Sequence, residues 1–97
     1  MPDDLHEVPI ERELDLHAFA PQDIPSVVDE YARAAHAAGY EVIRLVHGRG
    51  RGVQRGVVQA ALDRHPLVIE FWDDRDSHLG ATIARLASSL PVSSTPG

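Results

Sequence analysis

Val46-His47-Gly48-Arg49-Gly50-Arg51-Gly52 decides how this chain folds, because it joins two segments of different hydrophobic period. Before it, Glu41 to Val46 is a short apolar-rich run that reads as a strand. After it, Val53, Val57, Val58, Ala61 and Leu62 recur at helical spacing until Pro66, so residues 53–64 read as a helix with those five side chains inward. The loop between them is three alternating glycines with an arginine in each gap. Glycine holds backbone dihedrals with φ > 0 that other residues avoid. Successive amide groups can then converge into a nest that attracts anions, and the dipole of the following helix points at the same spot. Arg49 and Arg51 add forked donors suited to phosphate oxygens. The residues permit two readings of this loop, a tight turn or a phosphate cradle.

Outward from the loop, the remaining elements follow by period. Arg12 to His17 alternates, with Leu14 and Leu16 on one face and Glu13, Asp15 and His17 on the other, as in a half-buried strand. A helix is expected from about Pro21 to Ala38, its apolar stripe formed by Ile24, Val27, Val28, Tyr31, Ala35 and Ala38. Pro21 suits a first helical position. Pro25 sits a turn further in, so regular helix is expected only from Ser26, and Gly39 supplies the stop. Leu67 to Phe71 reads as a third strand and Ala81 to Leu86 as a fourth. The order β-α-β-α-β-β predicts an α/β fold, a two-layer sandwich with a mixed four-stranded sheet. Residues 1–10 read as a flexible acidic arm, 11–87 as one domain, and 88–97, rich in Ser and Pro, as a disordered tail.

Composition narrows the class. Ninety-seven residues make one small domain, able to bury roughly 60–65% of its extended-chain surface. No apolar run reaches the ~20 residues of a membrane span. The start, Met1-Pro2-Asp3-Asp4, is unlike a signal peptide. The absence of cysteine excludes a disulfide framework and any thiolate nucleophile or metal site. A cytoplasmic, monomeric protein is the expectation. The net charge of −6 is unevenly spread: residues 1–32 sum to −8, whereas residues 44–64 hold five of the nine arginines and sum to +4. Local fields steer ligands as well as net charge, so this window is a candidate docking patch of modest, salt-sensitive affinity for a polyanion.

His17 and His47 close the first and second strands. If those strands are parallel, both histidines lie at their carboxyl ends, where open α/β sheets bind ligands. Asp15 and His17 are two apart on one strand face, with Cα atoms about 7 Å apart. Such a pair can orient an imidazole as a base or co-ligate a hard divalent metal. Beside a phosphate cradle either arrangement suits phosphodiester hydrolysis. His6, His36 and His65 read as solvated, and the run Asp73-Asp74-Arg75-Asp76 as a solvated hairpin loop, with metal binding the alternative.

Three signatures in order, Leu14-Asp15-Leu16-His17, Val46 to Gly52, and Leu79-Gly80-Ala81-Thr82-Ile83-Ala84-Arg85-Leu86, make the chain resemble an Smr (small MutS-related) domain in its short stand-alone bacterial form. The resemblance covers residues 10–87 and implies a sandwich similar to the C-terminal domain of translation initiation factor 3. It also implies nucleic-acid binding and, for several family members, endonucleolytic nicking of DNA or RNA. On that analogy Asp15 and His17 are the favoured catalytic pair, and His47, Gly48, Arg49 and Gly50 bind the phosphate backbone. The nuclease reading adds His47, which handles protons or phosphate, to the catalytic candidates, and Arg51, Gly52 and Arg55 to the backbone-binding ones. Asp15 and His17 double as candidate ligands for magnesium or manganese. Structured or branched DNA or RNA is the expected partner, with a recruiting protein or the ribosome helping so acidic a domain to its target. Two positions depart from the family pattern: Ala18 stands where a glycine commonly follows the first signature, and His78-Leu79 where glycines commonly precede Gly-Ala-Thr. Besides nuclease activity, the sequence leaves open a non-catalytic module for structured nucleic acid and a protein-interaction domain whose acidic first third meets a basic partner.

Overall fold

The computed structural model describes residues 11–48 and 52–88. The expected arm and tail therefore lie outside the described residues, Ser88 excepted. Six main elements follow in order: β1 (Glu13–Asp15), α1 (Ile24–Ala37), β2 (Val42–Val46), α2 (Val53–Asp63), β3 (Val68–Asp73) and β4 (Ala81–Leu86), with 3-10 turns at Pro21–Asp23 and Arg75–Ser77. The four strands form one mixed sheet in the order β1-β2-β4-β3. β1 runs parallel to β2, with Asp15 opposite Val46. β4 is antiparallel to both neighbours, Leu45 facing Thr82 on one side and Asp73 facing Thr82 on the other. This is the two-layer α/β sandwich that the alternating periods predict.

Period-2 alternation sorts the sheet into faces. Leu14, Leu16, Ile43, Leu45, Ala84 and Leu86 turn inward and meet Ile24, Val28, Tyr31, Ala32, Ala35, Val58, Ala61 and Leu62 from the two helices. Glu13 and Asp15, Arg44, Ile83, Glu70 and Trp72 alternate with them and take the open face, where Arg44 donates to Glu13 Oε1 at 2.9 Å and Arg85 to Glu70 Oε2 at 2.7 Å.

Several local expectations are corrected. Regular α1 begins at Ile24, ahead of Ser26, because the 3-10 turn leads into it and Pro25 falls among the first helical positions, whose amides lack intrahelical partners. Ala38 and Val53 are exposed, at the two helix ends, and Ala32 completes the buried stripe. β3 extends to Asp73, and the acidic run after it is only partly solvated: Asp73 and Asp74 are each held by an arginine. His65 is buried. Its Nδ1 accepts the Leu67 amide at 3.1 Å, and its Nε2 donates to Asp29 Oδ1 at 2.8 Å. It ties α1 to the loop between α2 and β3.

Candidate functional site

The parallel pairing of β1 and β2 brings their carboxyl ends side by side, and the Leu16 amide donates to the Val46 carbonyl at 2.6 Å. Just beyond, Asp15 Oδ1 accepts both the backbone amide of His17 at 3.0 Å and its ring Nδ1 at 2.5 Å. The first bond, then the second, lowers the Asp15 pKa below the usual carboxylate range. Both side chains are open to solvent, 56% and 65% exposed respectively, so the pair is available to a ligand. With Nδ1 facing the carboxylate, Nε2 is the ring atom left for chemistry.

Gly48 closes the other side. It adopts φ +84°, and a Cβ built on it would lie 3.6 Å from the Cβ of His17, so the head of the glycine loop sits directly against the Asp15–His17 pair. The turn is pinned from β4, since the amides of His47 and Gly48 both donate to the Gly80 carbonyl at 3.0 Å. Gly52, at φ +82°, caps α2. In the first turn of α2, Gln54 donates to the Phe19 carbonyl at 2.6 Å and fastens the helix start to the loop that follows His17.

Two expected site residues occupy other places. His47 lies at the same end of the sheet as His17 but on the opposite face: it continues the inward parity of Ile43 and Leu45 and is 1% exposed. Its Nδ1 lies 3.0 Å from the Gly48 carbonyl and its Nε2 2.9 Å from Thr82 Oγ1. Burial, reinforced by Arg55, lowers its pKa against the opposing pull of the Gly48 carbonyl and Asp73. Arg55 lies on that inner side too. Its fork grips Asp73 through two bonds of 2.8 and 2.7 Å, and this contact lowers the Asp73 pKa, with Gln59 adding to it. Arg55 is thus already engaged bidentately by a carboxylate. Arg49, Gly50 and Arg51 lie outside the described residues. Asp15, His17 and Gly48 are the expected site residues that the fold brings together.

Sequence reasoning gave no role to Gln54, Gln59, Gly80 or Thr82. For Thr82 a signal was present, because it is the one hydroxyl on the inward parity of β4, between the loop end and the apolar Ala84 and Leu86. As for metals, no group of three or more His, Asp or Glu side chains suited to hold an ion gathers among the described residues. Nor is any described helix long and apolar enough to cross a membrane.

Comparison with known proteins shows the family and the fold. The chain is 32% identical over 84 residues to an endonuclease MutS2 of Caldicellulosiruptor saccharolyticus. It is 33% identical over 79 residues to the endonuclease MutS2 of Staphylococcus aureus. These matches take in 84% and 79% of this chain but only 11% of each relative, so the chain spans about a tenth of their length. Among solved structures, the Smr domain of Thermus thermophilus MutS2 superposes with a TM-score of 0.73 at 32% identity, covering 76% of this chain and 95% of that domain. The stand-alone small MutS-related protein YdaL of Escherichia coli gives 0.74 at 21% identity, covering 86% and 70%, a likeness of fold alone. The Smr domain model matches residues 14–87, which span all but the first residue of β1 and every later element, and the chain belongs to the Smr domain family.

Proposed function

We propose that this domain binds DNA or RNA across the carboxyl ends of β1 and β2 and cleaves a phosphodiester there. The observation that supports the reading most directly is the exposed Asp15–His17 hydrogen bond beside the left-handed Gly48 turn. Asp15 fixes the ring so that Nε2 can take the proton of an attacking hydroxyl or water as its oxygen bonds to phosphorus. The P–O bond opposite breaks, and the leaving oxygen takes a proton from water. The glycine-loop amides, Arg49 and Arg51 receive the phosphate oxygens and the charge that grows on them. The relatives named endonucleases support the same reading, although this chain matches a small part of each. Arg55 drops out of the strand-gripping set, because its fork is filled by Asp73.

With Asp15 Oδ1 already taken by His17, a magnesium or manganese ion would find Asp15 Oδ2 as its one carboxylate ligand at this pair, the remaining positions falling to water and phosphate. The proton steps therefore belong to His17, and cleavage is expected to persist in EDTA. A net charge of −6 makes recruitment by a partner protein or the ribosome, in the cytoplasm, part of the proposal, as is a preference for structured or branched strands.

The test is nicking of supercoiled plasmid together with cleavage of structured RNA. His17→Ala and Asp15→Asn should each lower the rate by about 10²-fold or more while thermal stability stays near that of the parent. Cleavage unchanged in both variants would remove these residues from the chemistry. Binding that is intact, salt-sensitive and lost on Arg49→Ala/Arg51→Ala, without cleavage under any divalent metal, would leave a binding module.

A further inference from the structure

Gly80-Ala81-Thr82 and His47 are both prominent in the sequence, and the chemistry proposed above uses neither. They meet in a chain of buried and half-buried polar contacts. Hydrogen-bond logic fixes the direction of each. The Gly48 carbonyl can only accept, so His47 Nδ1, 3.0 Å away, carries a hydrogen. In a neutral ring Nε2 must then accept, and its partner at 2.9 Å is the Thr82 hydroxyl. That hydroxyl is free to donate because its oxygen accepts from the side-chain amide nitrogen of Gln59 at 3.0 Å. The same Gln59 nitrogen donates to Asp73 Oδ1 at 2.9 Å, which settles which end of the amide faces inward. Asp73 is held in turn by the Arg55 fork. Every donor meets an acceptor only if His47 is neutral and protonated on Nδ1. That is the arrangement in which a buried polar network is stable.

We propose that His47 is the positioning residue of the site: as the neutral Nδ1–H tautomer it clamps the left-handed Gly48 turn against His17, with Gly80 and Thr82 as the seat. Three bonds converge on that turn, the His47 ring on the Gly48 carbonyl and the His47 and Gly48 amides on Gly80. The charged groups facing the ring are Arg55 from α2 and Asp73 from β3, which oppose one another. A proton added to Nε2 would turn it from acceptor to donor and force the Thr82 hydroxyl to reorient. The consequence for turnover rests on the reading of Asp15–His17 as the cutting pair; the clamp itself rests on the contacts alone.

Two isosteres separate the ring's two contacts. In His47→Asn the side-chain amide nitrogen takes the place of Nδ1 and keeps the bond to Gly48. In His47→Gln the side-chain amide oxygen takes the place of the accepting Nε2 and keeps only Thr82. Long-range 1H–15N NMR of the parent protein should find His47 neutral and protonated on Nδ1 at pH 7. The Gly48 amide and His17 ring resonances should hold in His47→Asn and move in His47→Gln, with both variants folded. Nicking should stay within about threefold of the parent for Asn and fall roughly tenfold or more for Gln, as small misplacements do. A ring protonated on Nε2 at pH 7, or Gln preserving the resonances that Asn disturbs, would overturn the clamp. If either variant fails to fold, the parent's tautomer decides. If the parent never cleaves, the nuclease reading fails while the resonances still judge the clamp.

Discussion

His78 and Leu79 hold φ of 53° and 71°, in the left-handed region that residues with a Cβ avoid. These are the positions at which glycines commonly stand in the signature this chain resembles, and the backbone explains why: the turn into Gly80 needs φ > 0 twice. Each non-glycine residue there costs about 1–2 kcal/mol, whereas replacing it with glycine costs roughly 0.4–1 kcal/mol through the freer unfolded chain. Leu79 is half exposed, so it loses little packing. Leu79→Gly should therefore stabilise the domain by up to about 1 kcal/mol, read as a rise in Tm by calorimetry; a lower Tm would contradict the strain. Gly48 poses the converse case. The space for a Cβ is ordinary, at 3.6 Å from His17, but φ is +84°. Gly48→Ala should cost about 1 kcal/mol from the backbone, the strain less what the stiffer unfolded chain returns, measurable by urea denaturation, with no cavity or clash to relieve.

At the scale of elements, α1 is braced by a contact between polar side chains. Asp29 Oδ1 receives Arg33 from its own helix and His65 from the loop beyond α2, each at 2.8 Å. Removing the imidazole leaves the Leu67 amide without its acceptor, and His65→Ala should cost about 1–3 kcal/mol in chemical denaturation. His65 was illegible in the sequence because its partner Asp29 lies 36 positions away and nothing local marks it as inward. The strands and helices were legible because each apolar set has a single period, 2 or 3.6, and the glycine loop separates them cleanly. The site was half legible. Asp15 and His17 continue the outward parity of Glu13, whereas His47 continues the inward parity of Ile43 and Leu45. That difference could be read from alternation alone, yet the strand-end position of both histidines drew them into one site. The pairing of Arg55 with Asp73 depends on where β3 falls in the sheet, and the window of five arginines held no sign of it.

For the molecule as a whole, acidity is the revealing variable. His47 has a lowered pKa in the folded state, while in the unfolded chain it returns to about 6.5. As pH falls below that value the unfolded chain takes up a proton that the folded ring refuses, so stability present at pH 7 is progressively lost. Asp73 and Asp74 are lowered in the folded state by their hydrogen-bond partners. Their contribution is present above about 4 and disappears as pH falls further. Thermal denaturation between pH 7 and 3 should show both phases, and His47→Asn should remove the upper one alone; an upper phase unchanged in the variant would contradict the assignment to His47. The sheet order has a further consequence. β4, the last described strand, fills the gap between β2 and β3, and Gly80 and Thr82 arrive with it. Chains fold as they emerge, amino end first. A nascent domain that has released β1, α1, β2, α2 and β3 still lacks its central strand and the seat of its glycine loop. The Gly80 seat of the Gly48 turn therefore cannot form before β4 has emerged.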